Sequence, residues 1–274
     1  MFKKSKKLAA AILAAVLALS SVSAAFAADS PANNVPKERE QKVNSKSQDT
    51  TVVLVREGKG VTAARVADER KVTVGGNVEV PKVDGGTTRL PVDTLGTKAL
   101  NGNKKTTKLI TTPTVTKYEK DALAGSRVSS VLSEVSKGGT LVLQSESLAD
   151  NNSLKYFEAR GEKKTGDGSV EFGYKTFNNT KVSTVSVTCG KVTFERGAFC
   201  GIKKGTKTNI DLLGLREASE FKVKKGAFDS NSKTMTARFS KHITQKEFKR
   251  VYKILRDGGF TGKIVRNVQS RHSK

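Results

Sequence analysis

The groups able to do chemistry in this 274-residue chain are few. Its two cysteines, Cys189 and Cys200, lie eleven residues apart with no histidine nearby, so they make no metal site. The two histidines are His242, in a polar stretch, and His272, in a basic tail. No nucleophile stands with a base and an orienting group, and the carboxylates are scattered among lysines rather than paired for acid–base work. Gly58-Lys-Gly and Gly166-Asp-Gly-Ser lack the spacing of a phosphate or calcium loop and read as turns. Nothing here calls for a cofactor or a metal, and the chain reads as non-catalytic. Cations are the exception. Lys and Arg number 50 against 26 Asp and Glu, a formal charge of +24. Such a balance favours anionic partners. Trp is absent and aromatic residues make up 6%, so base-stacking platforms are poorly supplied and no dedicated nucleic-acid site is expected. Five cations, Lys104, Arg127, Lys181, Lys203 and Lys233, recur five or six residues after a repeating landmark.

That landmark is a small residue followed by Leu or Phe: Ala99-Leu100, Ala122-Leu123, Ser147-Leu148, Thr176-Phe177, Ala198-Phe199 and Ala227-Phe228. The spacings are 23, 25, 29, 22 and 29 residues. A period of 20 to 30 residues is the signature of stacked supersecondary units, none of which can bury its own apolar face. Alternating apolar pairs precede most landmarks, as in Leu141-x-Leu143, Val170-x-Phe172 and Val192-x-Phe194. A second apolar group follows each, as in Val128 and Val131, or Val182, Val185 and Val187. Each unit therefore reads as strand, turn, small-plus-bulky anchor, loop, strand. Equivalent positions of stacked units align, so the five cations would form a stripe suited to an extended polyanion. An antiparallel β domain with turns at similar intervals is the alternative. If the units stack, Cys189 and Cys200 stand about half a coil apart on opposite walls, roughly 10 Å, beyond the ~7 Å Cα separation of a disulfide. Free thiols are favoured.

The stretch Pro113-Thr-Val-Thr-Lys-Tyr-Glu-Lys-Asp-Ala-Leu-Ala-Gly-Ser resembles the Pro-x-x-Val-x-x-Ile-Gly-x-x-Ala-Phe-x-Gly unit of BspA-type leucine-rich-repeat proteins. Glu195-Arg-Gly-Ala-Phe-Cys-Gly and Lys224-Lys-Gly-Ala-Phe-Asp-Ser are shorter matches, and the ending from Phe248 resembles the tail of many such arrays. The resemblance spans roughly residues 70 to 265. It departs from the pattern in that only Pro81 and Pro113 hold the post-strand proline place, and Thr106 fills a leucine slot. It implies a mainly β, irregular solenoid of about six units closed by an α-helix, on a secreted or surface protein that binds other molecules without catalysis.

The ends of the chain fit that picture. Residues 1–27 form a secretory signal peptide, with lysines, an apolar run from Leu8 to Leu19 and Ala25-Phe26-Ala27 as cleavage site. No later segment is apolar enough to span a membrane after cleavage. Residues 28–50 read as a disordered linker, 51–92 as a β-rich N-terminal cap, 93–240 as the array, 241–265 as a helical C-terminal cap and 266–274 as a basic tail. In the cap, Thr244-x-x-Glu247 is a capping box. Phe248, Val251, Tyr252 and Leu255 form an apolar stripe, and Gly258-Gly259 supplies a left-handed stop. The expected partners are anionic cell-envelope polymers or a surface protein, met outside the cell.

Overall fold

The computed structural model describes residues 38–45, 48–57, 60–81, 86–161 and 166–268. The signal peptide, the start of the linker and the tail beyond 268 lie outside the described residues.

Two parallel walls face each other. The first wall runs through β3 (Gly60–Val66), β6 (Thr87–Leu95), β8 (Lys117–Tyr118), β10 (Thr140–Leu143), β12 (Ser169–Phe172), β14 (Lys191–Phe194) and β16 (Phe221–Val223), each paired in parallel with the next. The second runs through β4 (Lys71–Val74), β7 (Lys108–Thr111), β9 (Ser130–Val135), β11 (Tyr156–Gly161), β13 (Thr184–Val187), β15 (Asn209–Leu212), β17 (Thr236–Ser240) and β18 (Lys263–Val268), again all parallel. The chain alternates between walls, so each circuit is one coil of a solenoid. Antiparallel pieces are confined to the N-terminal end. There β1 (Glu38–Ser45) pairs with β2 (Gln48–Glu57), β2 with β3, and β5 (Asn77–Pro81) with β6. Polar composition marks 38–45 as linker; an eight-residue ladder to the apolar β2 makes it a strand instead, because a partner's backbone can hold a sequence that has no core face of its own.

Alternation in each strand fills the space between walls. In β9 and β10 every second residue is buried. All six bulky landmarks lie in this core. Leu100, Leu123, Leu148, Phe177 and Phe199 have no exposed surface and Phe228 has 6%. Toward the C-terminal end the core becomes a stack of rings. Phe199 touches Phe194, Phe228, Phe177 and Phe172, with centroids 4.9, 5.2, 5.5 and 5.8 Å away. Backbone bonds tie the landmark turns together: Leu100 N–H donates to the Ala122 carbonyl, Leu148 to Thr176 and Phe199 to Ala227, at 2.9 to 3.1 Å.

The turn before each anchor has one conformation throughout. The residue two before the bulky landmark is left-handed in all six coils: Lys98, Asp121, Glu146 and Lys175 at φ 52 to 58°, Gly197 at 73° and Gly226 at 76°. That backbone suits glycine, yet four coils carry a charged side chain there.

The helix α1 spans Gln245–Asp257 and packs onto the end of β16, where Val251 and Leu255 are fully buried. Two expectations need correction. Tyr252 is not in the buried stripe. It is 41% exposed, with the Arg256 guanidinium 4.9 Å from its ring and bonded to its hydroxyl. Its place at the stripe's margin lets the phenol stay polar, and Ile254 packs against the core in its stead. The capping box is half formed. Thr244 Oγ1 accepts from Glu247 N–H, but the Glu247 carboxylate turns to the preceding coil and accepts from Ala218 N–H at 2.8 Å. Gly259, at φ 97°, is the left-handed stop, whereas Gly258 is helical. A Cβ on Gly258 would lie 2.3 Å from Val223 Cγ1.

Candidate binding surfaces

The five candidate cations all fall in the connection from the first wall to the second. Lys104, Arg127, Lys181 and Lys233 are exposed and Lys203 is half-buried. Arg127 N–H donates to the Asn103 carbonyl at 3.1 Å, and Lys203 N–H to the Thr180 carbonyl at 3.0 Å. These bonds set Lys104 beside Arg127 and Lys181 beside Lys203, one coil apart. The column is interrupted at the third coil, where Asn152 holds the place. It shifts by one residue in the sixth, where Ser232 is buried and Lys233 follows it in a 3-10 turn over Ser230–Thr234. Two adjacent cation pairs and an outlying lysine therefore share one edge. None of the five enters a salt bridge among the described residues.

Asparagines beneath the stripe fix these turns. The amide of Asn103 donates to the Val66 carbonyl at 3.1 Å, that of Asn151 to Val128 at 2.9 Å and that of Asn231 to Ile202 at 3.2 Å, each reaching the coil before. All three stand three residues after the bulky landmark, a periodicity that the sequence itself carries.

A second surface is the outward face of the second wall. Register aligns Glu158, Ser186, Asp211 and Arg238 in one row. Arg238 holds Asp211 through two hydrogen bonds. Glu158 accepts from Arg160 Nε and from the Tyr156 hydroxyl, each at 2.8 Å. Burial, then the Glu158 carboxylate, pushes the Tyr156 phenol up to about 12. Glu158, Ser186 and Asp211 are only 7 to 8% exposed although they point away from the core; Tyr156 and Arg160 cover Glu158 along its own strand, and Arg238 covers Asp211 from the next. In this row Glu158 and Asp211 are each paired with an arginine, while the five candidate cations enter no ion pair among the described residues. Single strands conceal such a row, since its members come from four coils.

Nucleophilic chemistry finds no support in the thiols. Both cysteines are free. Burial pushes the Cys189 thiol up to about 12 and also raises Cys200, so neither is a thiolate near neutral pH. His242 is exposed, and His272 lies outside the described residues. Among the described residues no group of three or more His, Cys, Asp or Glu is placed to hold a metal ion, and no helix is long and apolar enough to cross a membrane.

No family model matches the chain, and no curated protein does. Among solved structures, the crystal structure of the pneumococcal vaccine antigen PcpA is similar at 10% identity, covering 84% of this chain and 99% of that one with a TM-score of 0.27. The solenoid described above rests on the strand register, not on that likeness.

Proposed function

We propose that this chain is a non-catalytic binding protein of the BspA-type leucine-rich-repeat kind, secreted or loosely held at the cell surface, that takes protein or glycan ligands on its stacked repeats. The observation that carries this reading is the register of the coils. It turns residues remote in sequence into continuous columns and rows on an extended surface, while the enclosed space is filled by Leu, Val and Phe. A flat, laterally repeated surface suits a macromolecule better than a small substrate.

A second reading is favoured by the +24 charge and by the unpaired cations along one edge. In it the protein is a basic envelope component that holds anionic wall polymers through charge. The two are separated by replacing Lys104, Arg127, Lys181, Lys203 and Lys233 with Gln, and comparing that variant with one that replaces Lys37, Lys42, Lys46, Lys253 and Lys263. Both lose the same charge. A far larger loss of anionic-polymer binding in the first supports the stripe; equal losses show a merely basic protein. Salt-resistant capture of one envelope or host-surface protein, unchanged in both variants, supports the protein-binding surface, because exposed charges are screened within about 8 Å at physiological salt.

A further inference from the structure

Tyr174 is out of character for its column. Three residues before each bulky landmark the coils carry Thr97, Lys120, Ser145, Tyr174, Arg196 and Lys225. Tyr174 and Tyr252 are the large hydrophobic residues exposed among those described, at 47% and 41%. Tyr252 is engaged through its hydroxyl by its own helix. The hydroxyl of Tyr174 bonds no described residue.

The next coil explains how the ring lies. A Cβ on Gly197 would sit 2.5 Å from Tyr174 Cδ2 and 2.6 Å from Cε2, so the ring rests on a glycine that must have no side chain. One coil further, Arg196 Cγ lies 3.9 Å from the place of a Cβ on Gly226, an ordinary contact that a side chain there would not disturb. In the earlier coils that position carries Lys98, Asp121, Glu146 and Lys175. Glycine there in the last two makes a flat shelf. Backbone bonds from Lys175 N–H to the Gly197 carbonyl (3.0 Å) and from Gly197 N–H to the Gly226 carbonyl (2.8 Å) fix the shelf's spacing. One cation lies over the ring and others follow on the next coils. Lys175 Nζ is 5.1 Å from its centroid, and Arg196, Lys224 and Lys225 are exposed on the two following coils.

We propose that Tyr174, Arg196 and Lys225 form a subsite for an acidic sugar residue of a polysaccharide. Tyr174 offers a rigid stacking face at low entropic cost. Arg196 and Lys225, about one and two strand spacings away, take the sugar's carboxylate, Arg196 through a two-pronged bond. A single half-exposed ring fits one pyranose better than a run of stacked bases. The subsite rests on the reading of the chain as a glycan binder. It lies before the landmark, whereas the cation stripe lies after it.

The test titrates the purified protein with oligogalacturonate, its methyl-esterified neutral form, polyphosphate and oligothymidylate at fixed salt. The chain has no Trp and four Tyr, so tyrosine emission is observable and the part lost in Tyr174→Phe belongs to this site. Oligogalacturonate is expected to bind more tightly than the neutral form and to change tyrosine emission. Tyr174→Ala should weaken it about tenfold or more, a change of about 1.4 kcal/mol. Arg196→Gln should weaken it as well, while Tyr174→Phe binds as the parent but loses the emission change. Polyphosphate binding should survive Tyr174→Ala. Absent oligogalacturonate binding, Tyr174→Ala without effect, equal losses for polyphosphate, or a preference for oligothymidylate would each overturn the proposal. If Tyr174→Ala melts below the parent, the emission change of the parent and its absence in Tyr174→Phe decide alone. Capture of a surface protein by Tyr174→Ala, with oligogalacturonate binding lost, would leave the broader binding role standing.

Discussion

Phe199→Ala tests the solenoid core where it is densest. The side chain has no exposed surface, and four phenylalanine rings lie within 5.8 Å of it, centroid to centroid. Removing a buried phenyl costs about 3–5 kcal/mol, the range reflecting how far the cavity collapses. Collapse is restricted here, because Thr176 and Ala227, next to Phe177 and Phe228, accept backbone bonds from Leu148 and Phe199 of the coils before them. Ring pairs contribute about 0.5–1.5 kcal/mol beyond area, and all of those made by Phe199 vanish at once. The upper half of the range, about 4 kcal/mol, is therefore expected. In urea unfolding followed by circular dichroism, a slope of about 2 kcal/mol/M would place the midpoint about 2 M lower. An unchanged slope is required for that conversion. A loss below about 1 kcal/mol would show that Phe199 does not join neighbouring coils and that the assigned register is wrong.

Three further outcomes follow from particular side chains. Ser147 Oγ is buried without a hydrogen-bond partner, in a place that four other coils fill with alanine, so Ser147→Ala should gain about 1 kcal/mol; a melting temperature below the parent's would contradict this. Lys98 is exposed and left-handed, and Lys98→Gly should trade about 1–2 kcal/mol of strain against about 0.5–1 kcal/mol of glycine entropy, for a small net gain in urea midpoint rather than a loss. The bond from Ala218 N–H, then Arg250, holds the Glu247 carboxyl below its ordinary 4.5. A depressed carboxyl stabilises the fold above the unfolded value, and that contribution is lost as pH falls through the folded one. Glu247→Gln should flatten the loss of stability below about pH 4.5, and parallel pH curves for parent and variant would refute the docking role.

Much of the coil was legible because burial leaves a periodic mark. The six anchors and the bounds of α1 could be read from apolar spacing, since each depends on neighbours within one turn or one strand. The left-handed turns were legible only at Gly197 and Gly226. Lys98, Asp121, Glu146 and Lys175 adopt the same backbone because the coils on either side impose it, and no local preference announces that. Tyr252 satisfied the helical period and still faces water, since a phenol at a stripe's edge can settle either way. The cation stripe is legible with its gap in the third unit and its one-residue shift in the sixth. What spacing alone could not give is which coils stand side by side: Arg127 N–H on the Asn103 carbonyl and Lys203 N–H on the Thr180 carbonyl pair the cations two by two. The Glu158–Asp211 row needed register from four coils, and the Tyr174 shelf needed to know what lies under the ring.

The parallel ladders have a mechanical consequence. Strands lie across the solenoid, so the hydrogen bonds between them point along its long axis. Tension applied from end to end therefore peels coils apart a few bonds at a time, instead of shearing a whole ladder together. Each coil of 22 to 29 residues, drawn out at about 3.4 Å per residue, releases roughly 75–100 Å of chain. Held at one end and loaded at the other, the molecule lengthens coil by coil.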